Sequence, residues 1–229
     1  MLAKMTATEA PLAQPPALVA PTLTGHSVLG TPITARRLGD RGHGPSVLVI
    51  GAIHGNEQAG IAIVQRLAHD AGSGRVRLWV VPDLNPDGVR ANTRANAHGV
   101  DLNRNFAWRW QSQTTPGTTF YAGPAPLSEP ESRFARRLIT RLRPDITIWF
   151  HQHETAVDTS GGSVAIEARF ARRVALPLRR MMRYPGSATT WQTHRFPKAT
   201  AFVVELPPGT LSARATRAYA RAVLALARG

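Results

Sequence analysis

Four stretches of this chain, residues 46–53, 75–81, 145–150 and 201–206, are apolar almost without interruption, and chemically capable residues follow or close each of them. His54-Gly-Asn-Glu57 follows the first, Asn85-Pro-Asp-Gly88 the second and His151-Gln-His153 the third, while Glu205 lies within the fourth. A sheet with one wet face would alternate apolar and polar residues, whereas near-continuous apolar runs belong to strands covered on both faces. Helical periodicity fills the intervals. Residues 57–71 repeat through Ile61, Val64 and Leu67, residues 128–142 open on the capping-box form Ser128-Glu-Pro-Glu131 and stop before Pro144, and residues 170–182 are interrupted at Pro177. Residues 210–228 close the chain with Ala215, Ala218, Ala222 and Leu226 on one face, and residues 31–35 and 163–166 read as further strands. The expectation is an α/β protein, a three-layer α/β/α sandwich with a mixed, mostly parallel central sheet and its ligands at the strand ends.

At 229 residues the chain suits one large α/β domain, which buries about 70% of the surface its unfolded form exposes. Residues 1–23 carry four prolines and no apolar periodicity, so they read as a disordered tail, leaving residues 24–229 as the folded domain. The tail lacks the continuous apolar core of a secretory signal, and no run approaches the roughly 20 apolar residues of a transmembrane helix. The protein is therefore expected in the cytoplasm, with export to the cell wall as the alternative should the true start lie upstream. The excess of 28 basic over 14 acidic residues is almost all arginine and gives a net charge of +14. Its densest groups, around Arg133–Arg143 and Arg172–Arg183, recur at helical spacing, as on solvated helix faces. No aromatic interleaving or nucleic-acid module accompanies them, so neither nucleic acid nor membrane is an expected partner.

The absence of cysteine removes disulfides and thiolate zinc sites, so any metal must be held by His, Asp or Glu. A catalytic zinc takes three protein ligands and keeps a fourth position open. His54 and Glu57, on a strand-to-helix turn, supply two, and the third belongs at another strand end. His151 directly follows its strand; His153, two residues on and facing the same way in an extended chain, competes for the role. Any one of these residues alone reads as an ordinary polar group at a loop entrance, whereas the three together read as a metal site. Glu205 fits a general base, because a carboxylate closing a buried strand is costly to desolvate unless it faces a polar site. The unpatterned residues 107–127, with Trp108, Trp110, Phe120 and Tyr121, are expected to wall a cleft.

In this order the residues resemble the M14 family of zinc carboxypeptidases from about residue 25 to the C-terminus. The resemblance rests on H-x-x-E at His54 and Glu57, N-P-D-G at residues 85–88, G-V-D-x-N-R-N-F at residues 99–106, and F-V-V-E-L ending at Leu206. It implies one Zn2+ per chain on His54, Glu57 and His151, with Glu205 as general acid/base. It implies further that Asn103 and Arg104 hold a substrate's terminal carboxylate and that Arg94 stabilises the developing oxyanion, with Arg90 as the fallback. Asp101 would orient a ligand imidazole. Tyr184 is the loose counterpart of a substrate-binding family tyrosine, and residues 187–191 border the side-chain pocket; His194, Arg195 and Lys198 would meet an acidic side chain or lie in a solvated loop. Within the family the form His-Gly-Asn-Glu and residues 94–106 resemble bacterial murein peptide amidases, which cleave the γ-D-glutamyl to diaminopimelate bond of peptidoglycan-derived peptides.

The expected activity is thus zinc-dependent hydrolysis of the C-terminal amide bond of peptides carrying a free C-terminal carboxylate. Two alternatives remain open at this level. A succinylglutamate desuccinylase or aspartoacylase-like amidohydrolase shares H-x-x-E and a downstream glutamate, and a non-catalytic basic module would bind cell wall or nucleic acid without needing Glu205.

Overall fold

Strand β5 (Ile146–Gln152) is buried along nearly its whole length, and its side chains divide between two cores. Ile146, Ile148 and Phe150 enter one and Trp149 enters the other. Strand β8 (Thr200–Leu206) repeats the division beside it, sending Phe202, Val204 and Leu206 into the first core and Val203 to the margin of the second. Fully burying a side chain such as Phe150 or Phe202 contributes about 1.5–3 kcal/mol. Two cores on two faces make the strands read as continuous apolar runs.

The computed structural model describes residues 22–39, 42–71, 75–112, 115–159 and 161–229. Residues 1–21 of the expected tail lie outside the described residues, and Thr22 and Leu23 open strand β1 (Thr22–His26). With β2 (Pro32–Arg37), β3 (Ser46–Ile50), β4 (Arg77–Val81), β6 (Ala156–Asp158) and β7 (Leu178–Arg179) the sheet has eight strands in the order β1-β2-β4-β3-β5-β8-β6-β7. The four central strands β4, β3, β5 and β8 are mutually parallel, and the antiparallel contacts are β1–β2, β2–β4 and β6–β8. Helices α1 (Ala59–Asp70), α4 (Val164–Val174) and α6 (Ala213–Arg228) cover the first core. Helices α3 (Pro130–Leu142) and α5 (Ala188–Arg195) cover the second. The three-layer expectation holds.

Local expectations fared unevenly. Residues 163–166 are not a strand: Ser163 is the N-cap of α4, whose Phe170 and Ala171 pack into the first core. The helix expected over residues 170–182 ends at Val174, where Ala175 takes a left-handed conformation, φ 53°, and Pro177 leads into β7. A short apolar run such as Val164-Ala-Ile166 has no period long enough to tell helix from strand. The capping box at Ser128 does not form. Glu129 is the N-cap of α3 without a side-chain cap bond, and Glu131 instead accepts from the backbone N–H of Val28 and from Asn96.

The Asn-Pro-Asp-Gly motif is structural. It opens α2 (Pro86–Ala91), with the Asn85 side-chain Oδ1 accepting from Gly88 N–H at 3.0 Å. Gly55 packs flush on this turn: a Cβ there would sit 1.9 Å from the Gly88 carbonyl carbon. The loop bearing His54 and Glu57 therefore rests directly on α2, backbone against backbone.

Between β6 and α4 the fully buried Glu167 accepts from Gly161 N–H at 3.0 Å, and its other oxygen has no hydrogen-bond partner. Burial, reinforced by Asp158, pushes its carboxyl up to about 7. Between about pH 4.3 and pH 7 the unfolded chain releases this proton while the folded one retains it, so the group's contribution to stability declines over that window as pH rises. Glu167→Gln should therefore melt a few degrees above the native protein at pH 8 and close to it at pH 4.3, since about 1 kcal/mol moves Tm by about 2–4 °C at this size. Calorimetry at the two pH values checks this.

Candidate metal centre and substrate cleft

The face of the sheet that carries Trp149 and Val203 continues, two residues later on each strand, into His151 and Glu205, which are Cα partners across β5 and β8. Period-two alternation alone puts both side chains on one face. The loop after β3 brings His54 and Glu57 to the same edge, where His54, Glu57 and His151, all buried, offer donor atoms within 4.8 Å of one another. His54 Nδ1 lies 2.8 Å from one Glu57 carboxylate oxygen and His151 Nδ1 lies 2.9 Å from the other. His153, the competing third ligand, is exposed and stands outside this group.

The donor set suits zinc. His54 Nε2 is 3.1 Å from the buried carboxylate of Asp101, so the N–H belongs on that side and Nδ1 keeps its lone pair. That lone pair then faces a carboxylate oxygen, an arrangement of two acceptors that a cation between them resolves. Two imidazoles and a carboxylate leave one position of a tetrahedral zinc open. Although burial opposes ionisation, His54 and His151 hold the Glu57 carboxyl well below the usual carboxylate range. Asp101 is buried as well, and His54, Arg94 and Arg104 hold it low in the same way.

Arg94 lies against two buried carboxylates. Its Nη1 donates to Glu57 at 3.1 Å and its Nε to Asp101 at 3.0 Å. Arg90 lies elsewhere, donating to Asp87 at 2.8 Å. The Asp101-capped 3-10 turn Leu102–Arg104 aims the next pair. Asn103 Oδ1 accepts from the Ala188 N–H at the start of α5. The buried Arg104 guanidinium contacts two aromatic rings, 4.1 Å from the Tyr184 centroid and 5.3 Å from that of Phe120. Burial lowers its affinity for its proton, and Asp101 opposes that effect. Tyr184 thus borders the cleft through its contact with Arg104, beside Gly186, whose left-handed φ of 70° and contact with the Arg104 carbonyl leave no room for a Cβ. Burial raises the Glu205 carboxyl above its ordinary value, His151 opposes this, and Glu57 adds to the rise.

His54, Glu57, Arg94, Asn103, Arg104, His151, Tyr184 and Glu205 line one cleft of about 550 Å³. Of the aromatic residues in the expected wall, Phe120 reaches it; residues 113–114 lie outside the described residues. His194 lies away from it, stacked on Trp108, and Arg195 and Lys198 border a different hollow beside Arg143 and Asp145. Asp158, Arg179, Arg180 and Arg183 also line the cleft; the three arginines, expected on a helix face, lie beyond the end of α4 in and after the two-residue strand β7.

A family model described as zinc carboxypeptidase, peptidase M14, matches residues 6–165. The chain belongs to the M14 zinc carboxypeptidase family. It is 31% identical over 206 residues to murein peptide amidase A of Vibrio campbellii, spanning 83% of this chain and 81% of that protein. It is likewise 31% identical over 186 residues to murein peptide amidase A of Escherichia coli K12, spanning 73% and 74%. The crystal structure of murein-tripeptide amidase MpaA from Escherichia coli O157 superposes with a TM-score of 0.74 at 28% identity, covering 98% of each chain. Carboxypeptidase A from Helicoverpa armigera shares the fold with a TM-score of 0.74 at 19% identity, covering 92% of this chain and 70% of that one. The protein is a zinc-dependent hydrolase of this family, which sets aside the non-catalytic module and favours a peptidase over the N-acyl amino acid amidohydrolase.

Replacing Asp101 with Asn should weaken zinc binding about 10- to 100-fold by releasing His54, and Glu57→Ala should weaken it further. Competition with a chromogenic chelator measures both, and equal affinities for Asp101→Asn and the native protein would remove Asp101 from this role.

Proposed function

We propose that the protein hydrolyses the amide bond before a free C-terminal residue, acting on peptidoglycan-derived peptides at the γ-D-glutamyl to diaminopimelate bond. The observation that carries this reading is the convergence in one cleft of a His-Glu-His donor set, a half-buried carboxylate at Glu205, and two arginines beyond it. Homology to the murein peptide amidases supports the choice of bond.

Zinc bound by His54, Glu57 and His151 would supply Lewis-acid activation of water and of the scissile carbonyl. Glu205 accepts the proton of the attacking water and returns it to the leaving amine. Its raised proton affinity brings it nearer the working pH, which general acid/base exchange needs. Arg94 turns its guanidinium to the oxyanion as it forms, and Asp101 keeps that side chain in place between reactions. Arg104 and Asn103 bind the terminal carboxylate. A planar guanidinium can hold both oxygens, and cation–π contacts with Tyr184 and Phe120 support it. The substrates carry carboxylates, so the basic surface favours their approach.

Glu205→Gln should keep zinc yet lose about 10²- to 10⁴-fold in kcat, and Arg94→Ala should lose about 10²- to 10³-fold. Mass spectrometry of a peptide panel incubated with zinc-loaded protein tests the reading. The C-terminal residue should be released from a γ-D-glutamyl-diaminopimelate peptide and not from its C-terminally amidated form. Turnover of N-acyl amino acids with no cleavage of these peptides would overturn it.

A further inference from the structure

Behind the cleft, the chain from Arg94 to Asn105 is held at two buried points, and both lead to Glu129 at the start of α3. Asn96 is the first. Its Oδ1 accepts from the N–H groups of His98 and Val100 at 3.1 and 3.0 Å, and its own N–H donates to the Val100 carbonyl at 3.0 Å, so residues 96–100 close into a tight turn. Its Nδ2 points outward and donates to Glu129 at 2.8 Å and to Glu131 at 3.1 Å. Two bonds accepted and two donated are the whole capacity of that amide. Asn105 is the second point. Its Oδ1 accepts from the Glu129 N–H at 3.2 Å, and its Nδ2 donates to the Ala122 carbonyl at 2.8 Å and to Ser128 Oγ at 2.9 Å.

Asn96, Asn105, Glu129 and Glu131 are all buried, so breaking any of these bonds strands a desolvated polar group. Burial raises the Glu131 carboxyl, the Asn96 amide opposes the rise, and Glu129 adds to it. Glu129 is the N-cap of α3, and α3 is seated in the second core through Phe134, Leu138 and Ile139. The two ties are therefore rooted in the packed body of the protein. None of Asn96, Asn105 and Glu129 lines the cleft. Yet Arg94 stands two residues before Asn96, and Arg104 immediately before Asn105. These two arginines meet opposite ends of the substrate's last residue, the carbonyl being cut and the terminal carboxylate. Misplacing a reacting group by about 1 Å can cost about 10²-fold in rate, so the span between them has to be fixed by something other than the substrate.

We propose that Glu129 is a positioning residue that sets the span between Arg94 and Arg104, holding Asn96 through its side chain and Asn105 through its backbone N–H. The clamp selects a C-terminal residue in which a single carbon separates the scissile nitrogen from the carboxylate. This rests on the peptidase reading above and gives Glu129 no contact with substrate. In a homologue with one more methylene before the carboxylate, the carboxylate overshoots Arg104 whenever the carbonyl is placed against Arg94. A rigid span rejects that homologue, whereas a loosened one serves the proper substrate less well and discriminates less.

The test compares kcat/KM of zinc-loaded native protein and Asn96→Asp on two substrates: a γ-D-glutamyl-diaminopimelate peptide, and the same peptide with one methylene inserted before its terminal carboxylate. The native protein should favour the first by about 100-fold. Asn96→Asp keeps the oxygen that closes the turn and sets a carboxylate oxygen against Glu129 and Glu131 in place of the donor. It should lose at least about 10-fold on the first peptide and less on the homologue, so that the preference shrinks at least about 5-fold. Should Asn96→Asp fail to fold, Glu129→Ala, which adds no like charge, decides by the same ratio. A folded, zinc-holding variant that keeps the native preference overturns the clamp whatever its melting temperature, as does a native protein with no preference, and both leave the peptidase reading intact. A native protein that holds zinc and cleaves neither peptide overturns the peptidase reading, and the clamp with it.

Discussion

Alternation along two neighbouring parallel strands is the constraint on which the rest of this structure depends. Because β5 and β8 are buried on both faces, each position is committed to one core or the other. When the apolar run ends, the next inward-facing position emerges at the sheet edge beside its neighbour. His151 and Glu205 are that pair. A one-residue slip between the strands would send one of them into the opposite core, where an unpaired charge is costly. The hydrophobic effect, which has no directionality of its own, thereby fixes the relative position of two polar groups.

The buried charges are tolerable because they compensate one another in a closed set. Glu57 faces His54, His151 and Arg94; Asp101 faces His54 and Arg94. Removing one member of such a set exposes the others to the full cost of desolvation. The same economy holds at Arg104, whose aromatic neighbours stabilise a cation that burial would otherwise disfavour.

Much of this was legible in the sequence. His54, Glu57, Glu205 and the 94–104 string were recognisable because each adjoins a long apolar run or lies in a dense motif, and the three-layer architecture follows from the spacing of those runs. The role of Asn85-Pro-Asp-Gly88 was not: its glycine lies against the Asn85 side chain and the Ala95 carbonyl, and its backbone leaves no room for a Cβ at residue 55, thirty-three residues away along the chain. The strand expected at residues 163–166 was a helix, since three apolar residues define no period. Glu131 gave up its capping place for partners at Val28 and Asn96 that sequence order conceals.

The amino-acid sequence by itself determined the family, the layers and the identity of the donor groups, because these follow from local periodicity and from motifs whose spacing the chain preserves. Only the tertiary structure set His151 rather than His153 beside Glu57, put Arg94 against Glu57 and Asp101 while Arg90 went to Asp87, and brought Asp158 and Arg179 into the cleft. The physical reason is the same in each case. Neighbours in sequence share composition and pattern, but which of them faces the site depends on strand register and on contacts made between distant segments, which exist only once the sheet is assembled.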